Sequence, residues 1–108
     1  MQLDDYQAAA RRTAIYEDRF RVIYPALGLA SEAGEVCGKI KKVLRDQAGD
    51  FADAPLAALA DELGDVLWYL AMMAADLGLS LDEVAGRNLD KLRSRSARAQ
   101  IGGSGDRR

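Results

Sequence analysis

Two hexapeptides carry the acids best placed for chemistry, Ser31-Glu32-Ala33-Gly34-Glu35-Val36 and Asp61-Glu62-Leu63-Gly64-Asp65-Val66. Each sets one acid three residues before another, with glycine just ahead of the second acid and valine just behind it. On a helix turning about 100° per residue, the second acid lies about 60° from the first. With Glu32 and Glu62 each taken as zero, Leu29, Val36, Ile40 and Val43 on one helix fall between about +20° and +80°, as do Leu59, Val66, Leu70, Met73 and Leu77 on the other. The acids therefore border an apolar stripe on each helix. Two helices packed antiparallel through these stripes bring four carboxylates to one edge of the core. Such an edge is costly without a cation. Acids at i, i+3 repel by roughly a few tenths of a kcal/mol, and each interior glycine gives up roughly 1 kcal/mol relative to alanine. A hard divalent cation relieves the repulsion, and a ligand set made only of oxygen favours magnesium or manganese over zinc or copper. The competing reading is a solvated acidic rim on a non-catalytic helical oligomerisation module.

Exclusions narrow the chemistry further. The chain has 108 residues and no histidine. That removes Ser-His-Asp and Cys-His catalysis, histidine-bound zinc and the Glu-x-x-His ligands of di-iron bundles. A formal net charge of −2 argues against binding a nucleic-acid polymer. No apolar run approaches the roughly 18 residues that a membrane span needs, and Met1-Gln2-Leu3-Asp4-Asp5 lacks the basic then apolar pattern of a secretory signal. A single cysteine, Cys37, cannot form an internal disulfide, which suits a reducing cytoplasm.

The elements that must position these acids read as an all-α, four-helix bundle-like subunit with antiparallel core helices, spanning residues 1–97. A glycine-rich tail follows at 98–108. The first helix is expected from Asp4 to Arg21, opened by Asp4 with Gln7 as a capping box. The second runs from Pro25 to Gln47 and the third from Pro55 to Leu77, each with proline at its start, and Gly78 ends the third. The fourth follows Ser80, with Glu83 completing a second capping box and Val84, Ala85, Leu89 and Leu92 facing inward. Four helices in so short a chain make a thin core. With Trp68, Leu67 and Leu44 read as facing outward, assembly into a homo-oligomer is expected. Cys37 is expected in the core.

Beyond the acids, Tyr24-Pro25-Ala26-Leu27-Gly28-Leu29 precedes the first pair, and Lys39-x-Lys41-Lys42 with Arg45-Asp46 follows it. The second pair continues as Val66-Leu67-Trp68-Tyr69, then Leu77-Gly78-Leu79-Ser80-Leu81 and Asn88-x-x-Lys91-Leu92. In this order, with 26 residues between Glu35 and Glu62, the chain resembles the MazG-type nucleotide pyrophosphohydrolases over about residues 4 to 95. Ser31 stands where the related all-α dUTPases have a further glutamate, which weakens a dUTPase-like reading.

The resemblance implies an Mg²⁺-dependent enzyme, with Mn²⁺ a possible substitute, that converts a nucleoside triphosphate to monophosphate and pyrophosphate. It implies a homodimer or homotetramer, metal and catalytic roles for Glu32, Glu35, Glu62 and Asp65, and a part in nucleotide-pool housecleaning. Phosphates also need cations. Lys39, near the Glu32 line, is either a phosphate ligand or an i, i+4 partner of Glu35. Lys41, Lys42 and Arg45 read as a solvated face. Asn88, Lys91 and Arg95 share one edge of the fourth helix and suit phosphate or ribose. Tyr69 and Trp68 are candidates for stacking on a base, or for packing alone. The tail either covers the nucleotide or is disordered.

Overall fold

The structure, a computed structural model, describes residues 1–97, so the expected role of the glycine-rich tail lies outside the described residues. The fold is all-α: α1 Leu3–Arg11, α2 Ile23–Gln47, α3 Asp53–Asp76 and α4 Leu81–Ala97, with a 3-10 turn at Asp18–Phe20 between α1 and α2. Both long helices begin two residues before their prolines. The first-turn amides have no helical partner, so proline is as well placed at the third position as at the first. Ala48 and Gly49, at φ 51° and 77°, turn the chain out of α2, and Gly49 N–H donates to Val43 O at 3.1 Å. Gly78 ends α3 at φ 75°, as the sequence indicates.

α2 and α3 form an antiparallel hairpin, since Gly28 meets Tyr69 while Lys39 reaches back to Glu62. The seam between them differs in phase from the sequence reading. The groups that meet across it are Gly28, Glu32, Lys39 and Val43 from α2, and Pro55, Ala58, Glu62 and Tyr69 from α3. On the scale above these lie between about −40° and +20°. The acids therefore sit in the seam itself, and the apolar stripe overlaps it at Val43 and otherwise runs along one side. Its outer edge is bare: Leu56, Leu63, Leu70 and Leu77, seven residues apart, are 57%, 57%, 36% and 53% exposed.

The core lies on the opposite side of α3. Ala71, Met72 and Ala74 are buried with Ala10 of α1 and Leu81 of α4, and Tyr6, Ala14, Tyr16, Trp68 and Val84 pack against them. Trp68, expected to face outward, instead packs inward and donates its indole N–H to Thr13 Oγ1 at 2.8 Å. Cys37, expected in the core, is exposed, and Leu89, expected on the inner face of α4, is 48% exposed. α4 leaves α3 at 100° and stands across the hairpin. Among the described residues no helix lies alongside both α2 and α3, so Cys37 has no wall to face.

α1 is half its expected length. Thr13 ends it by directing both its N–H and its Oγ1 to Ala10 O, at 2.9 and 2.7 Å, and residues 12–22 then cross to α2. Asp4 and Gln7, the expected box for α1, serve α4 instead. Asp4 Oδ1 accepts Asp82 N–H at 3.0 Å. The buried Gln7 accepts Leu81 N–H at 3.0 Å and donates to the carbonyls of Ala71 and Leu79. The bonds to Leu81 and Asp82 satisfy orphan amides at the start of α4, and the bond to Leu79 O ties the α3–α4 turn to α1. The Ser80–Glu83 box forms as expected, with Glu83 N–H on Ser80 Oγ at 3.1 Å. Among the described residues, no single helix is long and apolar enough to cross a membrane.

Candidate functional site

Glu32 from α2 and Glu62 and Asp65 from α3 each place a carboxylate oxygen within 4.8 Å of the other two. Helix spacing puts Glu62 and Asp65 one turn apart on the same side of α3, and the hairpin carries Glu32 to them. Burial raises the pKa of Glu32, and a hydrogen bond with Glu62 together with the charges of Asp65, Glu62 and Glu35 raises it further. Glu35 is exposed and stands outside the trio, so the structure brings three of the four expected acids together.

Lys39 resolves its two expected roles differently from either. Its Nζ lies 3.5 Å from Glu62 Oε1 across the seam, with the Glu62 side chain 16% exposed. One cation thus already leans on a cluster of like charges. The trio fits a divalent ion in chemistry and roughly in span. Oxygens on opposite sides of an octahedral magnesium are about 4.2 Å apart, twice a bond of about 2.1 Å. The bound of 4.8 Å on the separations here is compatible with that span after small side-chain adjustments. Two half-buried glutamates beside the exposed Asp65, with Glu32 pushed toward its neutral form, make an all-oxygen ligand set of the kind that suits a hard cation.

Tyr69 links the acids to an aromatic cluster. Its ring fills the space beside Gly28, so that any Cβ there would fall onto it. Its hydroxyl pKa is raised by burial first, then by contact with the Tyr24 hydroxyl and by the charges of Tyr24, Glu32 and Asp65. Tyr24 and Tyr69 centroids are 6.1 Å apart, Tyr16 stacks on Tyr24 at 5.0 Å, and Trp68 meets Tyr69 edge-on at 5.0 Å. Thr13, Ile15, Tyr16, Glu17, Phe20, Tyr24 and Trp68 line a cavity of about 330 Å³ at this end of the hairpin. On the other side of the acids, Lys39, Lys42, Val43, Asp46, Gln47, Ala54, Pro55 and Ala58 line a second cavity of about 230 Å³. Lys42, read from sequence as part of a solvated face, contributes to its wall. Arg45 instead forks onto Asp46 at 2.7 and 2.9 Å.

The candidates on α4 stand elsewhere. Asn88 lines an apolar cavity with Leu3, Leu67, Leu70, Leu81, Val84 and Ala85. Asn88 and Lys91 border another with Leu79, Val84 and Arg87. No member of the trio lines either one. Arg95 is buried. Sequence reasoning missed Tyr16, because the first helix was carried through it, and Asp76, because an acid at a helix end carries no pattern. Gly28 was legible as an interior helix glycine, but the ring it admits was not.

Two comparisons bear on this geometry. The sequence profile of the MazG nucleotide pyrophosphohydrolase domain matches residues 25–99. The "Gene 37 protein" of Mycobacterium phage L5 is 45% identical over 114 aligned positions that cover the whole of both chains. No solved structure gives a significant match.

Proposed function

Because this chain belongs to the MazG nucleotide pyrophosphohydrolase family, we propose that it hydrolyses a nucleoside triphosphate to the monophosphate and pyrophosphate. The observation that carries this reading is the convergence of Glu32, Glu62 and Asp65 in a helix seam with Lys39 against them. Glu32, Glu62 and Asp65 would hold magnesium, or manganese in its place. Glu35, one turn from Glu32, would either complete the shell or take the proton of the attacking water. When bound, the ion would neutralise phosphate charge and make water a stronger nucleophile.

The chain's own residues supply the rest. Phosphoryl chemistry asks mainly for positioning and charge neutralisation. Lys39 would exchange Glu62 for a phosphate oxygen once a cation relieves the acids, and Lys42 would extend that positive edge. Tyr69 and Tyr24 carry the site toward the aromatic cavity, whose size suits one planar ring. The base would lie there, with the triphosphate running back over the acids toward the lysines. Asn88, Lys91 and Arg95 would reach the nucleotide only if α4, or a second copy of it, lies against this seam in an assembly.

Assembly is part of the proposal. Exposed leucines repeating every seven residues along α3 form a seam of coiled-coil type left bare in the single chain. A homodimer through α3, or a homotetramer built from it, covers them. We place the protein in the cytoplasm, where nucleotide substrates are found and an unpaired Cys37 stays reduced, with nucleotide-pool housecleaning as its role.

The test is a turnover panel of canonical and modified NTPs and dNTPs with Mg²⁺ or Mn²⁺, products separated by chromatography. Monophosphate and pyrophosphate in equal amounts are expected. In heavy-oxygen water, the labelled product identifies the attacked phosphorus. Quantitative orthophosphate from the triphosphate, or no metal-dependent turnover of any nucleotide, rejects the reading.

A further inference from the structure

Asp76, the last residue of α3, is an unusual place to bury a carboxylate. Its side chain is 0% exposed, and it stands at a helix C-terminus, where the helix dipole disfavours negative charge. What surrounds it comes from the 12–22 segment. Oδ2 accepts the Tyr16 hydroxyl at 2.8 Å and the Val22 N–H at 2.9 Å. Arg21 donates to the Asp76 carbonyl at 3.3 Å and holds Nε 3.8 Å from Oδ1. Oδ1 is buried with no hydrogen-bond partner.

The segment is held under strain at the same point. Val22 has φ 67° and ψ −51°, and Ile23 N–H bonds Arg21 O at 2.7 Å. This is a γ-turn of the uncommon positive-φ kind, centred on a β-branched residue. A valine stays there only if its surroundings over-determine it, and the Asp76 bond to Val22 N–H supplies that constraint. The pinned segment carries two walls of the aromatic cavity. Tyr16 is fixed through its hydroxyl, stacks on Tyr24 at 5.0 Å and 20°, and meets Trp68 at 6.5 Å and 81°. Thr13, which accepts the Trp68 indole N–H, lies on the same segment.

We infer that Asp76 is a positioning residue that presets the aromatic cavity for a nucleobase, by pinning segment 12–22 so that Tyr16, Tyr24 and Trp68 stand at fixed spacing before a ligand arrives. The base-binding role rests on the proposed function; the pinning of the cavity walls does not. A cavity of about 330 Å³ holds a planar ring between preset faces without charging binding for the ordering of a loop. Asp76 touches neither the acids nor the phosphates, so its effect falls on ground-state binding of the base more than on the chemical step.

The experiment compares wild type with Asp76→Ala, Asp76→Asn and Tyr16→Phe in the full chain. Trp68 is the single tryptophan, so its fluorescence reports on the cavity directly. Asp76→Ala should make Trp68 clearly more open to acrylamide quenching. It should raise KM about tenfold, the effect of one lost charge-assisted hydrogen bond, with kcat little changed. Asp76→Asn keeps an acceptor oxygen and should recover most of the affinity. Tyr16→Phe, which removes a single hydroxyl, should raise KM less and serves as the arm that decides if Asp76→Ala does not fold. If wild type turns over no nucleotide, the proposed function fails, and acrylamide quenching together with deoxynucleoside monophosphate titration of Trp68 still reads the cavity. Unchanged quenching in Asp76→Ala, or in Tyr16→Phe where that arm decides, overturns the inference. So does a loss that lowers kcat with KM unmoved, or one that Asp76→Asn fails to relieve.

Discussion

The α2–α3 seam has two halves of opposite character. Toward the open end, Gly28 lets the Tyr69 ring settle against α2, aromatic rings stack in series, and a buried carboxylate binds the neighbouring segment. Toward the hairpin, Glu32, Glu62 and Asp65 face one another with Lys39 set against Glu62. The first half is tied together by ring contacts and by the Asp76 bonds to Tyr16 and Val22. The second sets like charges against one another, an arrangement that a bound cation would relieve. Ring contacts at the open end and the buried Val43 near the hairpin pack the helices on either side of the acids.

The contrast is broken most strongly at Gly28. Alanine there drives its methyl into the Tyr69 ring, and overpacking of this kind costs roughly 1–3 kcal/mol or more. The melting temperature of Gly28→Ala should fall by about 4–8 °C for each kcal/mol lost. Adding Tyr69→Ala should bring back less than additive loss. A Gly28→Ala protein as stable as wild type would show that the ring is not seated where the aromatic half needs it.

The acidic half is sharpened by pH. Glu32 is held above the ordinary glutamate value, so the native state keeps its proton at pH values where the unfolded chain has lost one. Its contribution to stability is full below the unfolded value of about 4.5 and disappears as pH rises through the raised folded value. In chelator, wild type should lose stability as pH rises across that window. Glu32→Gln should lose less, since its side chain has no proton to give up. Excess Mg²⁺ should flatten the wild-type profile at its upper end. Urea titrations at a series of pH values measure this, and equal slopes for the two proteins would remove Glu32 from the coupled group.

The smallest effect is expected at Lys39. Its contact with Glu62 is part-exposed and 3.5 Å long, so Lys39→Met should cost at most about 0.5 kcal/mol in chelator. With Mg²⁺ present, the stability difference between the two proteins should shrink, because the ion then neutralises the acid. Turnover should show a raised KM for the triphosphate, checked by initial-rate kinetics. A variant with unchanged KM would leave Lys39 as a neutralising side chain only.

Much of the fold was legible because the relevant signals are local. Pro25, Pro55, Gly78 and the Ser80–Glu83 box mark helix ends through backbone conformations and unpaired amides that neighbours in sequence decide. The acids were legible as a group because two phase-matched copies constrain each other. The rest depended on contacts distant in sequence. Asp4 and Gln7 read as a local cap, yet their partners lie more than seventy residues away at the start of α4. α1 was carried too far because nothing in its periodicity reveals that Thr13 turns back on Ala10 or that Tyr16 is claimed by Asp76. The seam was misphased for a deeper reason. An amphipathic pattern shows which face is apolar, and it cannot distinguish a face buried within the subunit from one buried only on assembly. Leu70 and Leu77 were taken with the first kind, and the structure leaves them 36% and 53% exposed.

The central claim is that the acidic half of the seam is built for a cation, and thermal melts of wild type and Glu62→Gln in chelator and in excess Mg²⁺ test it most directly. Glutamine keeps the shape of Glu62 and removes one charge. In chelator, the variant should match wild type to within a few tenths of a kcal/mol, with relief of the Asp65 repulsion offsetting the lost Lys39 contact. Mg²⁺ should stabilise wild type by about 2.7 kcal/mol at a hundredfold excess over Kd, and the variant should lose most of that gain together with its turnover. A Glu62→Gln protein that keeps both the full magnesium shift and full turnover, or a wild type that magnesium does not stabilise, would contradict the account.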